Sequence, residues 1–399
     1  MSSGLGDIGG GRASPGHLLD AAAKLAPVLR ENAERAEWAS RLTEESTAAL
    51  RGAGLFRLGV PRAYRGHEAS LATCLEIAAE LARACPSSSW IVAISYGAQH
   101  IAASFGADVR RELWGNSPDI PLCGSFNGVG LTATRVDGGQ LVSGRWSWAS
   151  GSYQARWAAL GIPVVNDSGE VIDQAMAIVP MDDLAIRDTW DMAGMRGTGS
   201  HTLIGERFFV PHHRMRPFAS LIAGPTGPIE PLYRIPVGSL ALTLAGPMLG
   251  MARAVFDQTM EVITSGKPMA GSTYSHLADS PSIQANLADA ANLIDSAQLH
   301  LFRSADYLDR AAAGQTPLEP TARARVRMDI GHATACLRQA VHLLLNVAGG
   351  SAFASVNPIQ RFWRDLETAA RHPSLGTELS REIYGRALVG NQEQVSFLI

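Results

Sequence analysis

The run GRWSWASG at residues 144–151 sets Trp146, Trp148 and Ser150 two apart. In a strand, residues two apart share a face, so both tryptophans are expected on one side. That side is either a packed β core or a flat aromatic surface with a hydroxyl beside it. Further along, the run NVAGGSAFASVNPIQRFWRDLETAARH at residues 346–372 ends on His372, shortly after the pair Arg364-Asp365. An unperturbed imidazole titrates near neutrality, so at this place it can move a proton or hydrogen-bond a reacting group. His100, late in the apolar run SSSWIVAISYGAQHIAASFG, is a second such group, with Tyr96 and Gln99 competing for the same face. Between these runs, WDMAGMRGTGS carries Arg196 among glycines that permit tight turns. That arginine either pairs with a phosphate or fixes the sheet.

Other chemistries lack their residues. Gly266-Lys267 is followed by Pro268, which spoils a phosphate-binding loop, and the glycines of GMRGTGS open no helix as a dinucleotide fingerprint requires. The 11 histidines show no metal-ligand spacing, so no metal is expected, and no GxSxG elbow is present. Cys74, Cys85, Cys123 and Cys336 are far apart and form no CxxC pair. Lys+Arg number 34 against 37 Asp+Glu, a net charge of −3 with no basic block, which argues against nucleic acid and anionic lipid as partners. The uncharged stretch 235–252 is short and broken by Pro236, Gly238, Gly246, Pro247 and Gly250, so it reads as a buried helix start and no membrane is expected. The cytoplasm is the expected compartment.

The elements that hold these residues follow from periodicity. The Gly/Ser-rich residues 1–16 read as a flexible leader. Apolar positions at helical spacing then fill 17–117, with the serine cluster at 87–89 placed to cap a helix. From 118 to 215 come short Val/Ile/Trp-rich stretches broken by turn residues. LTATRV and QLVSGRW flank Asp137-Gly138 as one hairpin, and ARWAALGIPVV and VIDQAMAIVP form a second. Strands so close together predict a small antiparallel sheet or barrel. In the C-terminal segment, 216–399, helical periodicity covers about 237–264, 281–313, 318–348, 358–371 and 375–390, which predicts a bundle. The chain is thus mainly α with a central β domain.

In this order, the three runs resemble the acyl-CoA dehydrogenase fold: an N-terminal helical domain, a small antiparallel β domain and a C-terminal four-helix bundle. More closely, they are similar to its two-component, flavin-dependent monooxygenase branch, whose members use reduced flavin made by a separate reductase. The resemblance implies that Trp148 packs beside the flavin ring and that Ser150 addresses flavin N5. It brings Gly124, Ser125 and Phe126 to the flavin pyrimidine, although the T-E-P-G run of the dehydrogenases is missing there. It sets His372 near the flavin and His100 on the substrate side. Asn346, Gly349 and Gly350 match a Q-x-x-G-G stretch, with Asn in place of Gln, that meets flavin across a subunit boundary. A homotetramer is implied.

The dehydrogenases carry a Glu in a Y-E-G-T turn soon after Arg-Asp. Here Ala370, Arg371, His372 and Pro373 occupy that stretch, and Glu378 lies too far on. The expected activity is therefore oxygenation of an aromatic, phenolic or polycyclic substrate through a flavin 4a-hydroperoxide. It would use FADH2 or FMNH2, O2 and an NAD(P)H-dependent reductase that delivers flavin by diffusion. The alternatives are an N- or S-oxygenase, a dehydrogenase-like oxidoreductase with a relocated base, and a flavin-fold scaffold without catalysis.

Overall fold

The computed structural model describes residues 15–224, 229–315, 318–391, 393, 395 and 396. The leader expected at 1–16 lies outside these, except for Pro15 and Gly16, which open the first helix. Among the described residues six α-helices precede the strands: α1 (Pro15–Lys24), α2 (Ala26–Ala39), α3 (Glu44–Gly52), α4 (Leu71–Ala82), α5 (Pro86–Ala103) and α6 (Ala107–Trp114). Thr43 and Ser70 cap α3 and α4 by accepting the N–H groups of Ser46 and Thr73. Helix α5 departs from expectation. It starts at Pro86, whose fixed φ and missing N–H suit the first helical position, so serines 87–89 fall inside its first turn. Ser89 instead donates to the Ala78 carbonyl at 2.6 Å, tying α5 to α4. Every residue of α5 except Ile94 and Gly97 is buried.

The strands are β1 (Leu122–Ser125), β2 (Val129–Val136), β3 (Gly139–Ala149), β4 (Trp157–Val165), β5 (Val171–Pro180), β6 (Ala185–Arg187), β7 (His201–Pro211) and β8 (Met215–Pro217). Both expected hairpins form, β2 with β3 and β4 with β5. The small antiparallel β domain is present as two four-stranded sheets, ordered β1-β4-β5-β8 and β2-β3-β7-β6. Among the described residues the one departure from antiparallel pairing is β1, which runs parallel beside β4. The chain crosses to the second sheet for β2 and β3 before β4 returns to lie beside β1, a crossover that parallel pairing requires. Leu122, Ala159, Met176 and Ile178 join the core shared with the helices, so the first sheet is buried against α5.

After α7 (Phe218–Ala223) the bundle comprises α8 (Ala245–Thr264), α9 (Pro281–Ala313), α10 (Pro320–Ala348), α11 (Pro358–Ala369) and α12 (Thr377–Leu388). The helix expected from 237 is a 3-10 turn as far as Leu244. An α-helix running through 237–264 would put the Pro247 ring against the Thr243 carbonyl. Starting α8 at Ala245 leaves Pro247 in the first turn, where its missing N–H costs nothing. Val237–Thr264 is long and apolar enough to cross a membrane, and 89% of its most apolar window is buried inside the protein.

Helices α8 and α4 cross closely at Gly250, where an added Cβ would stand 2.0 Å from the Ala79 carbonyl oxygen. Gly250→Val is therefore expected to force the helices apart and to cost about 2 kcal/mol, the usual scale of core overpacking. A lowered urea midpoint at unchanged slope would register it; an unchanged midpoint would contradict this close crossing.

Candidate active site

The end of β3 does not continue its alternation. The β3–β7 register breaks between Trp146 and Ala149, and Trp148 adopts φ +68°. A tryptophan in the left-handed region carries roughly 1–2 kcal/mol of strain. The consequence corrects the expectation that both tryptophans share one side. Trp146 is fully buried and donates from Nε1 to the Gly161 carbonyl at 2.8 Å, whereas Trp148 is 64% exposed. The bulge turns Trp148 out of the β core, where its ring packs edge-on against Trp190 at 5.1 Å. Backbone strain that exposes a large aromatic points to a ligand for that face.

Ser150, two residues on, is buried at the centre of a hydrogen-bonded chain. Trp90 of α5 donates from Nε1 to Ser150 Oγ at 3.2 Å, and Ser150 Oγ lies 2.7 Å from Ser200 Oγ. The Trp90 ring also packs against His372 in a T-shaped arrangement, 5.7 Å between centroids. One tryptophan therefore joins the serine of the β domain to the histidine of the bundle. No motif in the sequence singles out Trp90, although an indole N–H in a largely buried helix must find an acceptor somewhere.

His372 sits in the turn that ends α11. Its Nδ1 accepts the Ser374 N–H at 3.2 Å, so in the neutral ring the proton is on Nε2. Arg327 of α10 fastens that turn by donating to the carbonyls of Ser374 and Pro373. Burial, and then the charge of Arg327, push the imidazole down to about 4. This corrects the expectation of a base near neutrality. At pH 7 His372 is a neutral donor through Nε2–H.

His100 has the complementary form. Its Nε2 lies 3.0 Å from the Ile235 carbonyl, to which it donates, and its Nδ1 is buried with no hydrogen-bond partner. Burial pushes this imidazole to about 4 as well. Nδ1 is thus an unfilled acceptor. Tyr96 and Gln99, the alternatives for this face, are engaged elsewhere: Tyr96 donates to the Ala69 carbonyl, and Gln99 bonds Gly59 and Phe56. Gly97 lies two turns from Trp90 on the same side of α5, and nothing stands within 4 Å of where its Cβ would be. Glycine inside a helix costs about 1 kcal/mol relative to alanine, so an unfilled space there also points to a ligand.

The remaining residues have definite places. β1 is the edge strand of its sheet, so one side of the backbone at Gly124 and Ser125 faces away from any strand partner. Ser125 Oγ donates to the Ser147 carbonyl at 2.9 Å, and Phe126 stacks on Phe218 at 6.0 Å. The Arg196 guanidinium is bonded to Asp191, Met192 and Glu37, an arrangement that ties the loop before β7 to α2. Asn346 and Gly350 are exposed at the end of α10, and Gly349 ends that helix at φ +71°. The pair Arg364-Asp365 clamps the same loop. Asp365 accepts the Met195 N–H, and Arg364 bonds Ala193 and pairs with Glu37 at 2.6 Å. The buried Asp365 carboxyl, pushed up to about 7 by desolvation, is thereby a structural group and not a free base.

These features fit a reduced flavin and a substrate bearing a hydroxyl. An exposed indole face suits a planar ring, an edge strand offers backbone polar groups, and a buried acceptor on His100 awaits a donor.

Comparison with known proteins agrees. Residues 20–115 match the acyl-CoA dehydrogenase N-terminal domain, and residues 242–376 match the acyl-CoA dehydrogenase C-terminal domain. The chain is 32% identical over 375 residues to the oxygenase subunit HsaA, a flavin-dependent monooxygenase of Rhodococcus jostii, covering 92% of this chain and 96% of that one. It is 31% identical to the oxygenase component of an FADH(2)-dependent resorcinol hydroxylase from a Rhizobium species, covering 94% of each. Among solved structures, XiaF from a Streptomyces species, in complex with FADH2 and glycerol, superposes with a TM-score of 0.92. It shares 31% identity, with 96% of this chain and 97% of that chain covered.

Proposed function

Because this chain belongs to the flavin-dependent monooxygenases built on the acyl-CoA dehydrogenase fold, as an oxygenase component, we propose that it hydroxylates a phenolic or polycyclic aromatic substrate using FADH2 and O2. The observation that carries this reading is the complementary pair of neutral histidines. His100 presents a buried acceptor at Nδ1, and His372 presents a donor at Nε2. Reduced flavin, when bound, supplies two electrons and activates O2. The chain's own residues bind and orient. The Trp148 face covers the ring system, and Ser150 meets its N5 edge. His100 Nδ1 accepts the hydrogen of the substrate hydroxyl, which raises electron density on the ring to be oxygenated. His372 Nε2–H donates to the oxygen side, and the buried Trp90 between His372 and Ser150 helps to keep water out.

FAD is favoured over FMN by the two relatives near 31% identity whose descriptions name FADH2. The exposed Asn346 and Gly350, with Phe353 half-exposed beside them, support a tetramer in which a neighbouring copy completes the flavin site. Delivery of flavin by a separate NAD(P)H-dependent reductase accords with the component names of the relatives. Four free, buried cysteines accord with a reducing cytoplasm.

The test is a rapid mix of the FADH2-loaded protein with O2, followed by product analysis across a panel of phenols. Oxidised FAD is expected to appear more slowly than from free FADH2, and a phenol is expected to gain one oxygen atom. Oxidation as fast as in buffer, with all O2 recovered as peroxide for every phenol, would overturn the reading.

A further inference from the structure

The hydroxyl chain behind Ser150 has a direction, and its far end sets it. Thr198 Oγ1 donates to the Met195 carbonyl at 2.7 Å, which uses the threonine's single hydrogen. Its 2.7 Å contact with Ser200 Oγ must therefore be a bond that Thr198 accepts. Ser200 has then used its own hydrogen, so the 2.7 Å contact with Ser150 runs from Ser150 to Ser200. At the near end Trp90 Nε1, which can only donate, gives its hydrogen to Ser150 Oγ at 3.2 Å. Trp90 to Ser150 to Ser200 to Thr198 to Met195 is the one order in which each hydroxyl donates once. Of the two lone pairs on Ser150 Oγ, one receives the indole and the other is free. Ser150 has no hydrogen left to offer.

The anchor of this chain is itself fixed. The Met195 carbonyl also accepts Trp190 Nε1–H at 2.9 Å, and the Met195 amide is held by Asp365. Ser150, Ser200 and Thr198 are all buried, so water is not at hand to reverse the order. Reduced flavin carries a hydrogen on N5; oxidised flavin carries a lone pair there. An acceptor suits the first and opposes the second.

We propose that this relay holds Ser150 as a hydrogen-bond acceptor and so makes the site prefer reduced over oxidised flavin, with Ser200 and Thr198 as positioning residues. The proposal rests on the reading above that Ser150 meets flavin N5. Its consequence suits a protein that receives reduced flavin from solution: the form needed for the reaction is retained and the oxidised form is released.

The test is the ratio of the FAD and FADH2 dissociation constants, each measured anaerobically by ultrafiltration with no turnover. The wild type is expected to bind FADH2 more tightly. Ser200→Ala removes the acceptor for the Ser150 hydrogen, and Thr198→Val lets Ser200 turn its hydrogen toward Ser150. Either change frees Ser150 to donate, and each is expected to lower the ratio about tenfold, which for a two-electron couple is about 30 mV in the bound potential. Thr198→Ser, which keeps the hydroxyl, is expected to restore the wild-type ratio. A wild type that binds both forms equally would overturn the proposal. So would Ser200→Ala and Thr198→Val ratios within twofold of wild type while Ser150→Ala shifts it. A ratio unmoved by Ser150→Ala as well would instead show that Ser150 does not meet N5, and both readings would fall.

Discussion

His372→Ala is expected to cut hydroxylated product per flavin oxidised by about a hundredfold, the ordinary scale for losing one positioned proton donor. The variant should still bind FAD, because the Trp148 face, Ser150 and the β1 edge are untouched. The argument lies in how the ring is held. Ser374 N–H occupies Nδ1, Arg327 fixes the turn, and the Trp90 ring packs at 5.7 Å, so Nε2–H has a defined place and no freedom to take another role. Alanine removes that donor and opens a path for water beside Trp90, and both changes favour peroxide over product. His372→Asn, which keeps a short N–H donor, is expected to recover part of the loss. Single-turnover oxidation with quenched product analysis reads the effect directly. Coupling in the wild type is also expected to stay flat from about pH 6 to 8, because an imidazole held near 4 does not titrate there. A midpoint near the ordinary histidine value of about 6.5 would show that the ring is solvated and its assigned role wrong.

How much of this site the residues disclose depends on how local each cause is. The bundle helices at 281–313 and 358–369 are visible because apolar spacing, Pro281 and Pro358 act within a few residues of one another. Trp148, Ser150 and His372 are legible through the resemblance for the same reason: each lies in a short run of distinctive composition. The β bulge at Trp148 is invisible in that run. Strict alternation is what GRWSWASG predicts, and only the pairing of β3 with β7 shows where it breaks. The parallel partnership of β1 and β4 is likewise non-local, since the chain forms a hairpin of the other sheet between them. GMRGTGS attracts attention for Arg196, yet its hydroxyls are what touch Ser150 through the relay. Two histidines of ordinary appearance acquire opposite roles from single backbone groups, Ile235 O and Ser374 N–H, and no spacing rule reports those.

Acid lability of the flavin-free protein is the other large expected effect, and its sign follows from the same burial. His100 titrates near 4 when folded and near 6.5 when unfolded. Above about pH 6.5 both states are neutral and His100 adds no pH dependence. Between about 6.5 and 4 the unfolded chain binds a proton that the folded chain refuses, so stability falls as pH falls. The full loss is about 3 kcal/mol from this residue, reached below about pH 4. His372, half-buried, acts in the same direction with a smaller weight. Asp365 opposes them. Its folded value near 7 exceeds the unfolded carboxyl value, so its contribution is present in acid and is lost as pH rises through about 7. Variants separate the opposing terms. His100→Asn keeps a donor for the Ile235 carbonyl and cannot titrate, so urea unfolding should show a much shallower drop between about pH 7 and 5 than the wild type. Asp365→Asn keeps an acceptor for Met195 N–H, and its stability maximum should move to higher pH. If His100→Asn loses stability with acid in parallel with the wild type, His100 is hydrated and charged. Its Nδ1 would then not be the unfilled acceptor on which substrate binding depends.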